Sequence, residues 1–192
     1  MNEPVKSILL AGVGGPGILR ASDILCQVFM ATGLDVKKSE VHGMAQRGGC
    51  VTSHVRYGAR VYSPIAKKGD VDILLSFEKL ETLRYLDYLK ADGIVIINAE
   101  EIYPPSVNLG DAVYPNHVEE LTSRYFNKVR CVNAPDIARR AGNVRAVNTA
   151  LLGALSKELR IADDVWERVL KESFPQKALA ANLQAFNLGK AS

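Results

Sequence analysis

The chain has 192 residues, of which 47% are hydrophobic and 23% are charged, as is usual for a soluble globular protein. Its net charge of +3 is too small to indicate binding to nucleic acid or to an anionic membrane surface. No apolar run is long enough to span a membrane and no signal peptide precedes the first strand, so we expect one cytoplasmic domain over residues 1–192.

Four short apolar runs predict buried strands, at residues 7–12, 72–77, 93–98 and 128–134. Helical patterns separate these runs, and the middle two are almost continuously apolar, which is typical of strands covered on both faces. The alternation of strands and helices predicts an α/β fold. We expect a Rossmann-like three-layer sandwich with a mostly parallel sheet.

Two further segments modify this core. Residues 50–58 alternate between apolar and polar side chains, and with residues 60–64 they predict an inserted β-hairpin that turns at Gly58. The last third of the chain has helical periodicity, and Gly189 is predicted to end the final helix. The C-terminal region is therefore expected to be helical.

The cysteines argue against a cofactor held by this chain. Cys26, Cys50 and Cys131 lie far apart, and the sequence contains no C-x-x-C motif. Sparse single thiols cannot supply the ligand set of an iron–sulfur cluster, and buried cysteines commonly act as small hydrophobic side chains. We expect no metal site and no tightly bound cofactor.

The turn after the first strand, "GVGGPG", contains Gly12, Gly14, Gly15 and Gly17. Such glycines let the backbone approach a ligand, and the helix N-terminus behind them favours a phosphate or carboxylate. A bound dinucleotide would also need an acidic residue about 20 positions later, where Glu40 lies. A tight turn made only for packing is the alternative interpretation.

Several motifs resemble the gamma-type module of the 2-oxoacid:ferredoxin oxidoreductases. They are "GVGGPGILRAS", "SEVHGMAQRGG" and "AGNVRAVNTALLGAL", and the resemblance extends over nearly the whole chain. The stretch at 39–49 is the most specific, and it is similar to the indolepyruvate branch of the family. Pro16 stands where the family has Gln, so one backbone donor and one amide side chain are missing from the turn.

The resemblance implies a subunit that is inactive alone. Its enzyme would decarboxylate a 2-oxoacid oxidatively, form acyl-coenzyme A and CO2, and pass electrons to ferredoxin. Thiamine diphosphate and 4Fe–4S clusters would lie on a large alpha subunit, with coenzyme A as co-substrate. This chain would complete the active site of that partner on the coenzyme A side, most simply with two copies of each subunit.

Within residues 39–49, the candidate catalytic residues are His42, Gln46 and Arg47. His42 and Gln46 can form hydrogen bonds or relay a proton, and the Arg47 guanidinium suits a carboxylate or a phosphate. Gly48 and Gly49 would let the backbone approach the bound cofactor or the partner surface. We interpret the stretch as a loop that reaches into the partner's active site. A structural ion pair between Arg47 and Glu40 is the alternative.

Two other function classes remain open from the residues alone. The glycine turn could serve a Rossmann-like nucleotide-binding module without redox chemistry of its own. A self-sufficient NAD-dependent dehydrogenase is the other possibility, although no catalytic His or Lys is paired with an acid in a second domain. Arg139, Arg140 and Arg145 could meet coenzyme A phosphates or could form a solvated helix end.

Overall fold

The computed structural model describes residues 4–43 and 49–192. In chain order the strands are β1 (Lys6–Val13), β2 (Asp35–His42), β3 (Cys50–Gly58), β4 (Val71–Ser76), β5 (Leu89–Asn98) and β6 (Lys128–Val132). The α-helices are α1 (Gly15–Ala31), α2 (Lys79–Tyr85), α3 (Pro105–Asn108), α4 (Val118–Ser123), α5 (Ala134–Arg140), α6 (Val147–Ser156), α7 (Asp163–Ser173) and α8 (Gln176–Ala191). Short 3-10 turns occupy Leu86–Tyr88 and Val144–Ala146. None of the helices in this described part is both long and apolar enough to cross a membrane.

The strands form a six-stranded sheet in the order β2-β3-β1-β4-β5-β6. β1, β4, β5 and β6 pair in parallel, with Ile8 opposite Ile73. β3 runs antiparallel to both of its neighbours, β1 and β2. The predicted α/β fold with a mostly parallel sheet is therefore confirmed.

The predicted hairpin is correct in its first strand and wrong in its second. β3 pairs with β2, which precedes it, through pairs such as Asp35 with Gly58 and His42 with Val51. Residues 60–64 form no strand. β2 carries a run of charged residues typical of an exposed sheet edge. Because of this polarity, the apolar pattern used to predict strands did not identify β2. The first four residues of the 39–49 stretch thus belong to a strand rather than to a loop.

Helices cover both faces of the sheet, as a three-layer sandwich requires. On one face, α1 and the C-terminal helices α5–α8 pack on residues such as Ile8 and Leu10. On the other, smaller face, Leu9, Leu74 and other buried side chains of β1, β4 and β5 pack with aromatic and aliphatic residues that follow α2 and α4. Successive residues of β1 are buried on opposite faces, so the strand reads as a continuous apolar run.

The spacing of Leu83 and Leu86 predicts a helix that stops at Gly93, but the observed helix is shorter. α2 ends at Tyr85, a 3-10 turn follows, and Leu89 already begins β5. Leu89 is 6% exposed and packs in the smaller core, so its burial requirement is met equally well from a strand. Spacing of apolar residues alone does not distinguish the two conformations in so short a segment.

Candidate functional site

A cleft of about 960 Å³ opens at the carboxyl ends of β1 and β4. From β1 the chain turns to β2 and β3 on one side of the sheet, whereas β4, β5 and β6 follow on the other. The connections therefore diverge between β1 and β4, and ligands of open α/β sheets bind at such a switch point. The walls come from the start of α1, from the ends of β4 and β5, and from the beginnings of α6 and α8.

The glycine turn forms one edge of this cleft. Gly14 precedes α1 with a φ of 79°, a conformation that glycine adopts without strain. A Cβ on Gly12 would lie 2.7 Å from the Cβ of Phe77, so this glycine allows β1 and the end of β4 to pack closely. Gly17 lines the cleft, and a Cβ there would meet no atom within 4 Å. Gly14 and Gly17 thus border the cleft, whereas Gly12 has a packing role.

The structure brings the glycine turn and the ends of the 39–49 stretch together. The backbone N–H of Gly14 donates to the carbonyl of Gly49 over 3.2 Å, and the N–H of Gly43 donates to the carbonyl of Cys50 over 2.8 Å. Residues 43 and 49 therefore emerge beside the start of α1. This proximity could not be read from the sequence, because it depends on the pairing of β1 with β3.

Part of the predicted site lies outside the described residues. The structure does not describe the segment that contains Gln46, Arg47 and Gly48. The side-chain positions of His42, Gly15 and Pro16 are likewise not described. The backbone of His42 ends β2 opposite Val51. The roles assigned to His42, Gln46, Arg47 and Gly48 stay predictions.

The helical wall of the cleft carries positively charged side chains and the uncapped N-termini of two helices. Arg20, Arg145 and Lys177 line the cleft. α1 and α8 begin without a side-chain cap and without an acidic residue in the first turn. Their first N–H groups and dipole ends therefore favour an anion. The Arg20 guanidinium donates to the carbonyl of Ser173 and lies 5.3 Å from the centre of the Phe174 ring, so it is held at the wall.

Polar side chains from β5, α6 and α8 complete the lining. Glu100 follows β5 and accepts a hydrogen bond of 3.1 Å from Nδ2 of Asn98. Asn182 accepts from Thr149 over 2.7 Å and donates to the carbonyl of Ala178 over 2.8 Å. Asn148 is 8% exposed, and its Oδ1 has no partner among the described residues. This buried amide oxygen is available to a ligand.

The segment after β5 is attached to α2 through a buried carboxylate. Glu78 is fully buried and accepts hydrogen bonds from the N–H groups of Glu81 and Ile102, at 3.0 and 3.1 Å, and from the Tyr114 hydroxyl. Burial, together with the Glu78 carboxylate, raises the pKa of Tyr114. These contacts hold Ile102, and with it one side of the cleft, in place.

Cys50 lies beside the cleft but is unsuited to nucleophilic chemistry. Its sulfur is 2.8 Å from the Tyr85 hydroxyl oxygen, and burial raises the pKa of the thiol to about 11. The thiol is therefore protonated near neutral pH. Glu81 lies in the same cluster, and burial raises the pKa of its carboxyl as well. This cluster supports the start of β3 rather than offering a reactive group.

The sequence prediction selected some cleft residues and missed others. Glu40, considered as a ribose ligand, is instead paired with Lys38 over 2.6 Å on β2. Arg139 pairs with Asp136 over 3.3 Å outside the cleft, whereas Arg145 lines it. Polar cleft residues that the sequence prediction did not select include Glu100, Asn148 and Lys177. Glu100 had a visible signal, because it comes just after a predicted strand. Asn148 lies within the motif "AGNVRAVNTALLGAL", but nothing in the sequence placed it in a cleft.

Within residues 4–43 and 49–192, no group of three or more His, Cys, Asp or Glu side chains could hold a metal ion. The free thiols Cys26, Cys50 and Cys131 are each partly buried.

The family profile described as "Pyruvate ferredoxin/flavodoxin oxidoreductase" matches residues 7–192. Among curated proteins, "Indolepyruvate oxidoreductase subunit IorB" of Pyrococcus horikoshii is 39% identical over 95% of this chain and 93% of its own length. The protein of the same name from Archaeoglobus fulgidus is 37% identical over 95% of this chain and 92% of its own.

Two solved structures share the fold. The pyruvate oxidoreductase subunit PORC of Thermotoga maritima superposes with a TM-score of 0.72, covering all of this chain and 97% of its own at 21% identity. The 2-oxoglutarate:ferredoxin oxidoreductase of Magnetococcus marinus, solved with 2-oxoglutarate, coenzyme A and succinyl-coenzyme A bound, has a TM-score of 0.75 at 24% identity. That match covers 97% of this chain and 30% of the larger one.

Proposed function

Because the chain belongs to the pyruvate ferredoxin/flavodoxin oxidoreductase family, we propose that it is the small subunit of an oxidoreductase acting on indolepyruvate or another aryl pyruvate. The reaction consumes the 2-oxoacid and coenzyme A, produces acyl-coenzyme A and CO2, and passes electrons to ferredoxin. The identity of 37–39% to subunits named for indolepyruvate oxidoreductase, over 95% of the chain, is the observation that carries this proposal.

The redox chemistry belongs to a partner in this proposal. A large alpha subunit holds thiamine diphosphate, which supplies the decarboxylation chemistry when bound, and the 4Fe–4S clusters that lead to ferredoxin. The scattered, partly buried cysteines of the present chain agree with that division and with a reducing, cytoplasmic location.

The contribution of this chain is to close the partner's active site on the coenzyme A side. The ends of the 39–49 stretch and the glycine turn meet at one edge of the cleft, through the hydrogen bond between Gly14 and Gly49. In this arrangement His42, Gln46 and Arg47 reach the 2-oxoacid or coenzyme A. The glycines on either side, including Gly48, permit close approach to the partner.

A tagged chain purified without oxygen from its native host tests the assembly. We expect a larger, brown partner containing iron and thiamine diphosphate to co-elute, and the mixture to reduce a dye only with both an aryl pyruvate and coenzyme A. If the chain elutes alone, inactive and with a nucleotide bound, the proposal fails and a nucleotide-binding module becomes the better interpretation.

Arg47→Ala tests the site itself. Loss of a charged hydrogen bond should raise the KM for coenzyme A or the 2-oxoacid roughly tenfold or more, while the variant still assembles with its partner. Arg139→Ala is the matched control, because Arg139 is an exposed arginine paired with Asp136 outside the cleft. Kinetic constants that are the same in the Arg47 variant as in the parent would remove Arg47 from the site.

A further inference from the structure

We propose that Tyr85 is a positioning residue for the 39–49 stretch, acting through Cys50 on the two points at which that stretch is fixed to the fold. These anchor points are Gly43 and Gly49. The consequence for the reaction rests on the proposed function, under which the stretch reaches the 2-oxoacid or coenzyme A. The side chains that hold the anchor points form a hydrogen-bonded cluster of Cys50, Glu81 and Tyr85.

Both anchor points are bonded next to Cys50, the first residue of β3. The N–H of Gly43 donates to the Cys50 carbonyl over 2.8 Å. Gly49, the residue before Cys50, accepts from the N–H of Gly14 over 3.2 Å. A Cβ on Gly43 would lie 3.2 Å from the Cys50 carbonyl oxygen, so the two backbones approach closely. A displacement of Cys50 would therefore weaken both hydrogen bonds, since each depends on distance and direction.

Two side chains of α2 hold the Cys50 thiol. Glu81 and Tyr85 are four residues apart, so they lie on the same face of the helix. The Tyr85 hydroxyl oxygen is 2.8 Å from the Cys50 sulfur, and the Glu81 carboxyl forms a further hydrogen bond with the thiol. Burial raises the pKa of Cys50 to about 11 and raises the pKa of Tyr85 as well, so both groups stay protonated at neutral pH. The hydroxyl can then donate to the sulfur while the thiol donates to Glu81.

α2 gives this cluster a fixed support. Its N-terminus is capped by the fully buried Glu78, whose carboxylate accepts from the N–H of Glu81 over 3.0 Å. Just before the cap, the N–H of Phe77 donates to the carbonyl of Ala11 in β1 over 2.7 Å. The support for Cys50 thus comes from the sheet and α2 and does not depend on the 39–49 stretch itself.

The polarity of the cluster indicates more than a packing role. Glu81 is 2% exposed, and its Oε2 has no hydrogen-bond partner within residues 4–43 and 49–192. A buried carboxyl with an unpaired oxygen lowers stability, whereas an apolar side chain would fill the space without that cost. Departures of this kind are expected mainly at functional sites. Directional hydrogen bonds fix Cys50 in one orientation, which apolar contacts alone do not do.

Amide hydrogen exchange of the isolated full chain, measured by NMR, tests the structural step. Tyr85→Phe removes only the hydroxyl. It should lower the protection of the Gly14 and Gly43 N–H groups roughly twofold to tenfold. The N–H of Ala99, which is bonded at the end of β6, should keep its protection. Equal protection of Gly14 and Gly43 in the variant and the parent would overturn the inference.

Two substitutions of Cys50 test whether the effect passes through the thiol. Cys50→Ser keeps a group that accepts and donates, so it should retain most of the protection of Gly43, whereas Cys50→Ala should lose as much as Tyr85→Phe does. Tyr88→Phe is the matched control. Its ring lies 5.8 Å from that of Tyr85, but its hydroxyl forms no hydrogen bond within the described part of the chain. Full protection in Cys50→Ala would place the support elsewhere.

Kinetics of the complex captured with the tagged chain test the functional step. Tyr85→Phe should raise the KM for the 2-oxoacid or coenzyme A roughly twofold to tenfold, with little change in kcat or in the amount of partner captured. Because Tyr85 acts through the stretch that carries Arg47, it should have little further effect in an Arg47→Ala background. Unchanged KM values, or a full effect in that background, would exclude the positioning role.

The two measurements separate this inference from the proposed function. If exchange at Gly14 and Gly43 responds to Tyr85→Phe but no partner or 2-oxoacid activity is found, the cluster holds the anchor points and the proposed function fails. If the complex is active but exchange at both glycines is unchanged, the proposed function stands and the positioning role of Tyr85 fails.

Discussion

His54 shows how a single residue departs from its sequence pattern. The alternation along β3 predicts an outward-facing histidine at a surface or an interface, but only 5% of the residue is exposed. Its Nδ1 accepts a hydrogen bond of 3.4 Å from the N–H of Ala66, and its ring lies 5.9 Å from that of Tyr88. Burial lowers the pKa of His54, and the charge of Arg56 lowers it further. The folded chain therefore disfavours the protonated imidazole.

This burial predicts a pH dependence of stability. Below about pH 6.5 the unfolded chain binds a proton at His54 that the folded chain resists, so His54 makes the free energy of unfolding fall as pH decreases. His54→Gln should reduce that fall between about pH 7 and pH 5, as measured by urea denaturation. His117→Gln is the control, because His117 is an exposed histidine. An equal pH dependence in the His54 variant and the parent would contradict the interpretation.

At the scale of elements, two glycines allow the backbones of α6 and α8 to pack in direct contact. Gly189 was predicted to end the last helix, but it lies inside α8 and faces α6. A Cβ on Gly189 would lie 1.9 Å from the carbonyl oxygen of Ala150, and one on Gly153 would lie 2.0 Å from that of Phe186. The two backbones therefore touch, and α6 and α8 can present Asn148 and Asn182 to the same cleft.

Alanine at either glycine should separate the two helices. Since backbone atoms leave no room for a methyl group, Gly153→Ala and Gly189→Ala should each lower the free energy of unfolding by roughly 1–3 kcal/mol, measured in urea. Gly17→Ala in α1 is the matched control. Nothing lies within 4 Å of its Cβ position, so it should be neutral or slightly stabilising. Full stability in both α6 and α8 variants would disprove the close contact.

At the scale of the whole molecule, the segment after β5 starts at the cleft and carries several exposed apolar side chains. The segment after β5 exposes Ile102 and Tyr103, and farther along it Leu109 is 77% and Val113 is 89% exposed. Glu78 anchors both ends of this segment through Ile102 and Tyr114. An apolar surface that is held in place suits a lasting subunit contact. We predict that the proposed alpha subunit covers these side chains.

Charges introduced on this surface should prevent capture of the alpha subunit. Leu109→Asp combined with Val113→Asp should greatly reduce the amount that co-elutes with the tagged chain, because burying unpaired carboxylates is unfavourable. The thermal midpoint of the isolated chain should change little, since both side chains are exposed. Met30→Asp, at the far end of α1, should leave capture unchanged. Normal capture by the double variant would place the contact elsewhere.

Much of the fold could be predicted because burial leaves a pattern in the sequence. β1, β4 and the second half of β5 are covered on both faces and read as apolar runs, whereas β6 is mostly half-buried. β2 could not be identified in this way, since a strand at the sheet edge with Lys37, Lys38 and Glu40 reads as polar loop. The pairing of β3 with β2 and β1 leaves no local signal, because partner strands are chosen by contacts between distant residues.

The sequence by itself determined the α/β class, the family through its motifs, and the glycine turn between β1 and α1. These follow from local periodicity and from residues that are neighbours in the chain. Only the tertiary structure decided that Gly49 meets Gly14, and that Glu100, Asn148 and Lys177 share one cleft. A binding cleft at the end of a sheet is assembled from several elements whose order in space is set by packing, which residue spacing along the chain does not encode.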